Sequence, residues 1–344
     1  MLPPSQETKI PLDRAMSEDR QRTHQSENRS SYRWIRERIE KLDPVRDYAE
    51  IVKLSTLFRM NQFMGNWVFA VTMPRFTIGP SASAIARDGK GKLLVKHDRR
   101  IDDTTNHFLV WAEHGPESPQ TLRSTEIINT LHVKWAKEYP AEFEDPDLWL
   151  YVIAWEVCGP TSLLMSLGLP GPSEKEQIAL SLFGQKLAEL FIYIDGRPFS
   201  QVYPIPTSYD EWVAYVHKYE SRPWTRNSDT VVCANNVLDN FEKSFPRPLR
   251  AFGRALATSF WYEHMFSCNG IKPPGRVIRW AARTFMKGMV SIGNLMPDPK
   301  ESFPEKLRRE SATTGKPLNT VMRATQCPMG FGAMKAADPE SQKQ

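Results

Sequence analysis

The stretch that decides the fold runs from His97 to Trp135 and reads HDRRIDDTTNHFLVWAEHGPESPQTLRSTEIINTLHVKW. It combines two helix-like patterns with a break at His-Gly-Pro, residues 114–116. Glycine and proline next to each other end a helix, and Ser118 or Pro119 suits the start of the next one. The sequence therefore predicts two helices joined by a short turn.

Polar groups with chemical uses lie inside the first of these helices. Thr104, His107 and Trp111 follow one another at steps of three and four residues, which places them on one helix face. Arg100 comes just before them. Asp102, Asp103 and Thr104 suit a helix N-terminus, because short oxygen side chains cap free backbone N–H groups. This face is a candidate site.

On the second helix, His132 shares a face with Thr125, Ile128 and Trp135. Two interpretations of His132 stay open. A histidine on an apolar face is usually a core residue with one ring nitrogen hydrogen-bonded. The same imidazole could instead be an axial ligand of haem iron, with its second nitrogen donating to a carbonyl group.

The order of short motifs in this region resembles a known family. The motifs are R-x-x-D-T (100–104), G-P-x-S (115–118) and I-x-N-x-L-H (127–132). Together they resemble the MpaB and latex-clearing-protein family of haem-b oxygenases, in its fungal MpaB-like branch. The stretches 39–55, 168–190 and 211–220 also occur in the family's order, so the resemblance covers roughly residues 35 to 300.

The resemblance implies an all-α fold with a globin-like helical core that binds haem b. It implies that His132 is the proximal iron ligand, and that Arg100, Asp103 and Thr104 line the distal pocket. The expected reaction uses dioxygen to cleave or oxidise a C=C bond of a small apolar substrate, of prenyl or polyketide type, in secondary metabolism. The alternative is a non-catalytic helical binding or scaffold protein that retains the fold.

Two departures from the rubber-cleaving branch limit what the resemblance implies. That branch has a lysine just before the threonine, where this chain has Asp103, and an acid cannot act as a cationic donor to bound oxygen. It also has a distal glutamate upstream of the arginine, whereas the matching stretch 81–88 contains none. Rubber cleavage is therefore not expected.

Composition is ordinary for a globular protein of 344 residues, with 40% apolar and 25% charged residues. The net charge of +5 is spread along the chain, so nucleic acid is not an expected partner. Four scattered cysteines without a C-x-x-C motif argue against zinc ribbons and fit a reducing compartment. Cys158, weighed as a thiolate ligand of iron, is expected to be a small core residue instead.

The pattern predicts one large helical domain over residues 31–300. Residues 1–30 are expected to form a disordered arm, and residues 301–344 a loosely ordered tail, because both are poor in large apolar groups. Residues 78–91 are expected to be a loop, followed by a brief extended segment at 93–95.

Membrane features are limited to two helical segments. Residues 57–73 are interrupted by polar side chains, so we expect a buried helix and not a span. Residues 275–294 form a basic amphipathic helix, which could contact an anionic membrane or be the solvated face of a packing helix. The start of the chain has no apolar signal region. We expect an intracellular protein, cytoplasmic or peripherally membrane-associated, without a transmembrane span.

Overall fold

Helices make up this fold, as the sequence predicts. The structure is a computed structural model that describes residues 29–79 and 81–316. In these ranges the backbone forms no β-strand, and the β pairing is limited to an isolated antiparallel bridge between Ile192 and Pro198. The helices pack around one main hydrophobic core. The prediction of an all-α single domain is confirmed.

The helices are bounded as follows: α1 (Trp34–Lys41), α2 (Tyr48–Leu57), α3 (Gln62–Phe76), α4 (Ser81–Ala86), α5 (Lys92–Val95), α6 (His97–His114), α7 (Pro119–Ala136), α8 (Pro140–Phe143), α9 (Pro146–Ser166), α10 (Glu174–Ala188), α11 (Tyr209–Glu220), α12 (Ser228–Lys243), α13 (Arg250–Thr258), α14 (Glu263–Cys268), α15 (Arg276–Leu295) and α16 (Phe303–Thr314). Two 3₁₀ turns lie at Phe199–Gln201 and Arg247–Leu249.

Side-chain caps set the start of the longer helices. Ser118 begins α7 by accepting a hydrogen bond from a backbone N–H in the first turn, and Asp145 does the same for α9. Ser173 and Glu176 form a reciprocal capping box at the start of α10. Each cap satisfies a backbone donor that the helix itself leaves free, which stabilises a helix by about 1 kcal/mol.

Helix α9 is the central element of the core. Its residues Leu150, Tyr151, Ala154 and Cys158 are fully buried, and the helix packs against α10 and α11. Within the described chain it is also the one helix long and apolar enough to cross a membrane, with 56% of its most apolar window buried inside the fold. Core helices of this kind pass the same length and composition test.

Asp298 connects α1, near the start of the described chain, to the segment after α15. The carboxylate of Asp298 accepts a hydrogen bond from the backbone N–H of Ile35 at 3.0 Å and forms an ion pair with Arg59. The backbone N–H of Asp298 donates to the carbonyl of Tyr32 at 3.0 Å. Asp298 is only 6% exposed, so these bonds join α1 to the segment after α15 inside the fold.

Three sequence predictions need correction. Residues 78–91 contain α4, and residues 93–95 belong to the helical turn α5 and are not extended. The tail expected to be loose from residue 301 begins instead with α16, because Ser302 caps it and Phe303 and Leu307 are buried. Residues 1–28 and 317–344, where the remaining parts of the arm and the tail were predicted, lie outside the described residues.

Candidate functional site

Helices α6 and α7 form the predicted hairpin. The turn requires Gly115, which has a φ of +78° and whose missing side chain would lie 2.8 Å from Cβ of Ala49. Across the pair, Ser124 Oγ accepts from Trp111 Nε1 at 2.9 Å and bonds Nδ1 of His107 at 2.7 Å. His107 and Trp111, which the spacing placed on one helix face, thus both bond Ser124 of the neighbouring helix.

His132 lies near the end of α7 against two aromatic rings. The centroid of its ring is 4.5 Å from that of Trp149, edge to face, and 5.6 Å from that of Phe143. Its Nδ1 is sealed from solvent and has no hydrogen-bond partner within the described residues. Burial, and then the charge of Arg100, lower the pKa of His132 to about 4. The ring is therefore neutral at pH 7, and Nδ1 lacks the partner that an ordinary core histidine has.

Arg100 faces the same space from α6. Its charge is close enough to lower the pKa of His132, and burial lowers the pKa of Arg100 itself, with Asp103 opposing that change. The structure therefore brings together two of the four predicted site residues, on neighbouring helices. Arg100 has no ion pair in the part of the chain that the structure describes, where Asp103 pairs with Lys92, and a half-buried guanidinium of this kind favours an anionic group beside it.

The other two predicted residues, Asp103 and Thr104, have partners of their own. Asp103 forms an ion pair with Lys92 of α5, and 42% of its side chain is exposed. The hydroxyl of Thr104 donates to the carbonyl of Arg100 at 2.8 Å, within α6. Both lie within one turn of Arg100, but their polar groups are already bonded to protein.

Glu156 of α9 is a titratable residue that sequence reasoning missed. It lies seven residues after Trp149 on α9, which is two turns along the same helix face. The side chain is half-buried, and burial, the one cause acting on it, raises its pKa to about 8. The signal was present in the sequence, because Glu156 is an acid in the middle of the apolar run LWLYVIAWEVCG. Carboxyl groups with a pKa near neutrality are typical of functional sites.

Cys158 does not fit as an iron ligand. It is fully buried, its Sγ donates to the carbonyl of Ala154 at 3.2 Å, and burial raises the pKa of the thiol to about 12. A thiol with that pKa stays protonated and is a poor metal ligand. The described residues also hold no cluster of three or more histidine, cysteine or acidic side chains suited to a metal ion. A haem iron, by contrast, needs only one protein ligand.

The motifs that resemble the MpaB and latex-clearing group lie on α6, the turn after it and α7. The three motifs therefore lie on two consecutive helices and the turn that joins them. No protein-family model matches the sequence, and no curated protein matches it either. Membership of that family stays a prediction from the residues.

Proposed function

We propose that the protein is a haem-b-dependent oxygenase with His132 as the proximal ligand of the iron. The observation that carries this proposal is the state of His132, a neutral imidazole with an unpartnered buried nitrogen, next to Arg100. A neutral ring nitrogen is what iron requires of a histidine ligand. These two residues fit a haem, whose bound iron would supply the activation of dioxygen.

The side chains around His132 have distinct roles in this proposal. Arg100 would hold an anionic group of the cofactor by charge-assisted hydrogen bonds. Trp149 and Phe143 fix the plane of the imidazole and keep water from it. Asp103 and Thr104 lie within one turn of Arg100 on α6. Their role in this proposal is to orient Arg100, and not to contact a ligand.

Glu156 supplies the proton chemistry. With a pKa of about 8, its carboxyl group holds a proton at pH 7 and can donate it, and the carboxylate can take one back. It lies two helical turns, about 10 Å, along α9 from Trp149, whose ring packs against His132. A general acid of this kind suits oxidation of a small apolar substrate such as a prenyl or polyketide chain.

Access to such a substrate involves α15 in this proposal. Val277 and Trp280 are 80% and 67% exposed, and the cationic side chains of Arg276 and Lys287 accompany them on the surface. Arg283 of α15 points inward and donates to the backbone carbonyls of Ser259 and Ser166. The exposed face is thus more apolar than the sequence implied, which favours peripheral contact with a lipid surface.

Haem reconstitution of the purified protein tests the function. We expect a Soret band with the parent, no stable band with His132→Ala, and an unchanged band with the matched control His107→Ala. The control changes a histidine of the same hairpin that already has a partner in Ser124. If His107→Ala loses the band and His132→Ala keeps it, the ligand is His107 and the proposal for His132 is wrong.

The second candidate function is a helical binding or scaffold protein without haem. The observation in its favour is that Asp103 and Thr104 are bonded within the protein. It predicts that the reconstituted parent shows no Soret band, and that His132→Ala changes stability alone. The same spectra therefore decide between the two functions.

A further inference from the structure

A cavity lies along the C-terminal half of α9, and His132 does not line it. It has a volume of about 200 Å³ and is enclosed by α3, α9, α11, the turn between α13 and α14, and α15. At roughly 30 Å³ for each water, this volume equals about six or seven waters. The cavity is thus large enough for a small molecule, and too small for a drug-sized ligand.

Four buried atoms on residues that line the cavity have no hydrogen-bond partner within the described chain. Two of them, Nε of Arg75 and Oε2 of Glu220, belong to one buried ion pair. Trp261 Nε1 and Ser259 Oγ are sealed from solvent and unbonded within the described chain. The two residues are 2% and 0% exposed, and both line the cavity. Buried polar groups in proteins almost always have partners, so the indole N–H and the hydroxyl, which lie outside the ion pair, favour a ligand that accepts hydrogen bonds.

The wall also carries an excess of positive charge. The buried ion pair between Arg75 and Glu220 is neutral as a whole, and Tyr151 donates to the same carboxylate at 2.6 Å. Arg279 and Arg283 of α15 line the cavity in addition. Arg283 donates to the carbonyls of Ser259 and Ser166, which are not charged.

These two arginines lie four residues apart on α15, about one helical turn, so their charges are close to each other. Burial, and then the charge of Arg279, lower the pKa of Arg283. Arg279 has no ion pair in the part of the chain that the structure describes. A bound anion would offset the repulsion between two neighbouring cations.

Apolar side chains complete the cavity. Leu163, Val213 and Phe260 form this part of the wall, and the ring of Phe260 lies under the guanidinium of Arg283 at 5.1 Å. An inorganic anion would leave this surface without contacts. The cavity therefore matches a ligand with a charged end and an apolar body.

We propose that this cavity binds a small organic carboxylate, with the acid group held by Arg279, Trp261 and Ser259 and the apolar body against Leu163 and Phe260. Such a group could belong to a free short-chain acid or to the end of a longer apolar acid that leaves the cavity next to α15. The proposal does not depend on haem or on His132.

Calorimetric titration of the intact, haem-free protein with hexanoate tests this proposal. We expect saturable binding of hexanoate at millimolar or lower concentration, and at least about tenfold weaker binding of hexan-1-ol and inorganic phosphate, because each lacks one half of the ligand. Arg279→Gln and Trp261→Phe should each weaken hexanoate binding about tenfold. Trp261→Phe keeps the ring and removes only the N–H donor.

The matched control is Arg276→Gln, an exposed arginine one turn from Arg279 on the same helix that does not line the cavity. It should bind hexanoate like the parent, and thermal melts should show that Arg279→Gln folds like the parent. Dodecanoate distinguishes a free short-chain acid from the end of a longer acid. If dodecanoate binds more tightly than hexanoate, the ligand is the end of a longer acid, and if it binds more weakly, the ligand is a free short-chain acid. The proposal is overturned if the parent does not bind hexanoate, if phosphate binds equally well, or if Arg279→Gln and Arg276→Gln have the same effect.

Discussion

Changing Glu156 to glutamine should stabilise the haem-free protein, and more so as pH rises. The unfolded chain loses the Glu156 proton near the ordinary pKa of 4.5, whereas the folded protein keeps it until about pH 8 because of burial. Between these values the folded state binds the extra proton, so rising pH favours the unfolded state. Glutamine is close to glutamate in shape but cannot ionise, and it removes this loss.

The size of the effect follows from the two pKa values of Glu156. A difference between 4.5 and about 8 corresponds to a loss of about 5 kcal/mol above pH 8. The side chain is half-buried, so hydration and screening of the charged form reduce this figure to about 2 or 3 kcal/mol. Below pH 4.5 the carboxyl is protonated in both states, and the two proteins should have nearly equal stability.

Urea unfolding of parent and variant at pH 4.5, 6, 7 and 8.5, followed by circular dichroism, measures the difference. The control is Glu126→Gln, which removes an exposed carboxylate from the middle of α7 and should change stability by less than about 0.5 kcal/mol at every pH. If the advantage of Glu156→Gln does not grow between pH 4.5 and 8.5, Glu156 is not held in its neutral form, and its role as a proton donor at pH 7 loses its basis.

Three further predictions concern the site and α15. As pH falls from 6.5 towards 4, the parent should lose about 1 to 3 kcal/mol of stability, because His132 takes up a proton in the unfolded chain but stays neutral when it is buried in the fold. His132→Leu should not show this loss, and urea unfolding over the same pH range measures the difference. Arg100→Ala should keep the Soret band but slow oxygen uptake with a polyprenyl alkene, and equal oxygen uptake by parent and variant would contradict the role of the arginine. Thr104→Val should mainly lower the free energy of unfolding, by about 1 kcal/mol. The parent should sediment with anionic vesicles at low salt, and a variant with Trp280→Ala and Lys287→Gln should remain in the supernatant; equal sedimentation of both would exclude α15 as the contact.

The helix hairpin could be predicted from sequence because its signals are local. Gly115 and Ser118 mark the turn and the new helix start within four residues, and the side chains that face inward repeat at helical spacing. The same local rules failed between residues 78 and 95, where short helices form without a strong cap. There the packing against neighbouring helices, and not the local sequence, determines the backbone conformation.

The state of the site residues could not be predicted, because it depends on contacts between distant parts of the chain. His132 has an unpartnered nitrogen because Trp149 and Phe143 surround its ring. The cavity next to α15 brings together Arg75 and Glu220, which are 145 residues apart, and helix periodicity alone gives no distance between them. Sequence patterns identify the polar residues, and tertiary packing decides which of them stay unpaired.

The bonds at Asp298 have a consequence for the order of folding during synthesis. Helix α1 is made early, but its backbone at Ile35 and Tyr32 bonds a residue that leaves the ribosome some 260 residues later. Until then α1 lacks its buried partner and can dock only in part. A nascent chain that stops before Asp298 therefore leaves the backbone N–H of Ile35 and the carbonyl of Tyr32 without these bonds, and we expect proteases to cleave near α1 more readily than in the longer chain. The residues after α15 act as the closing step of the fold.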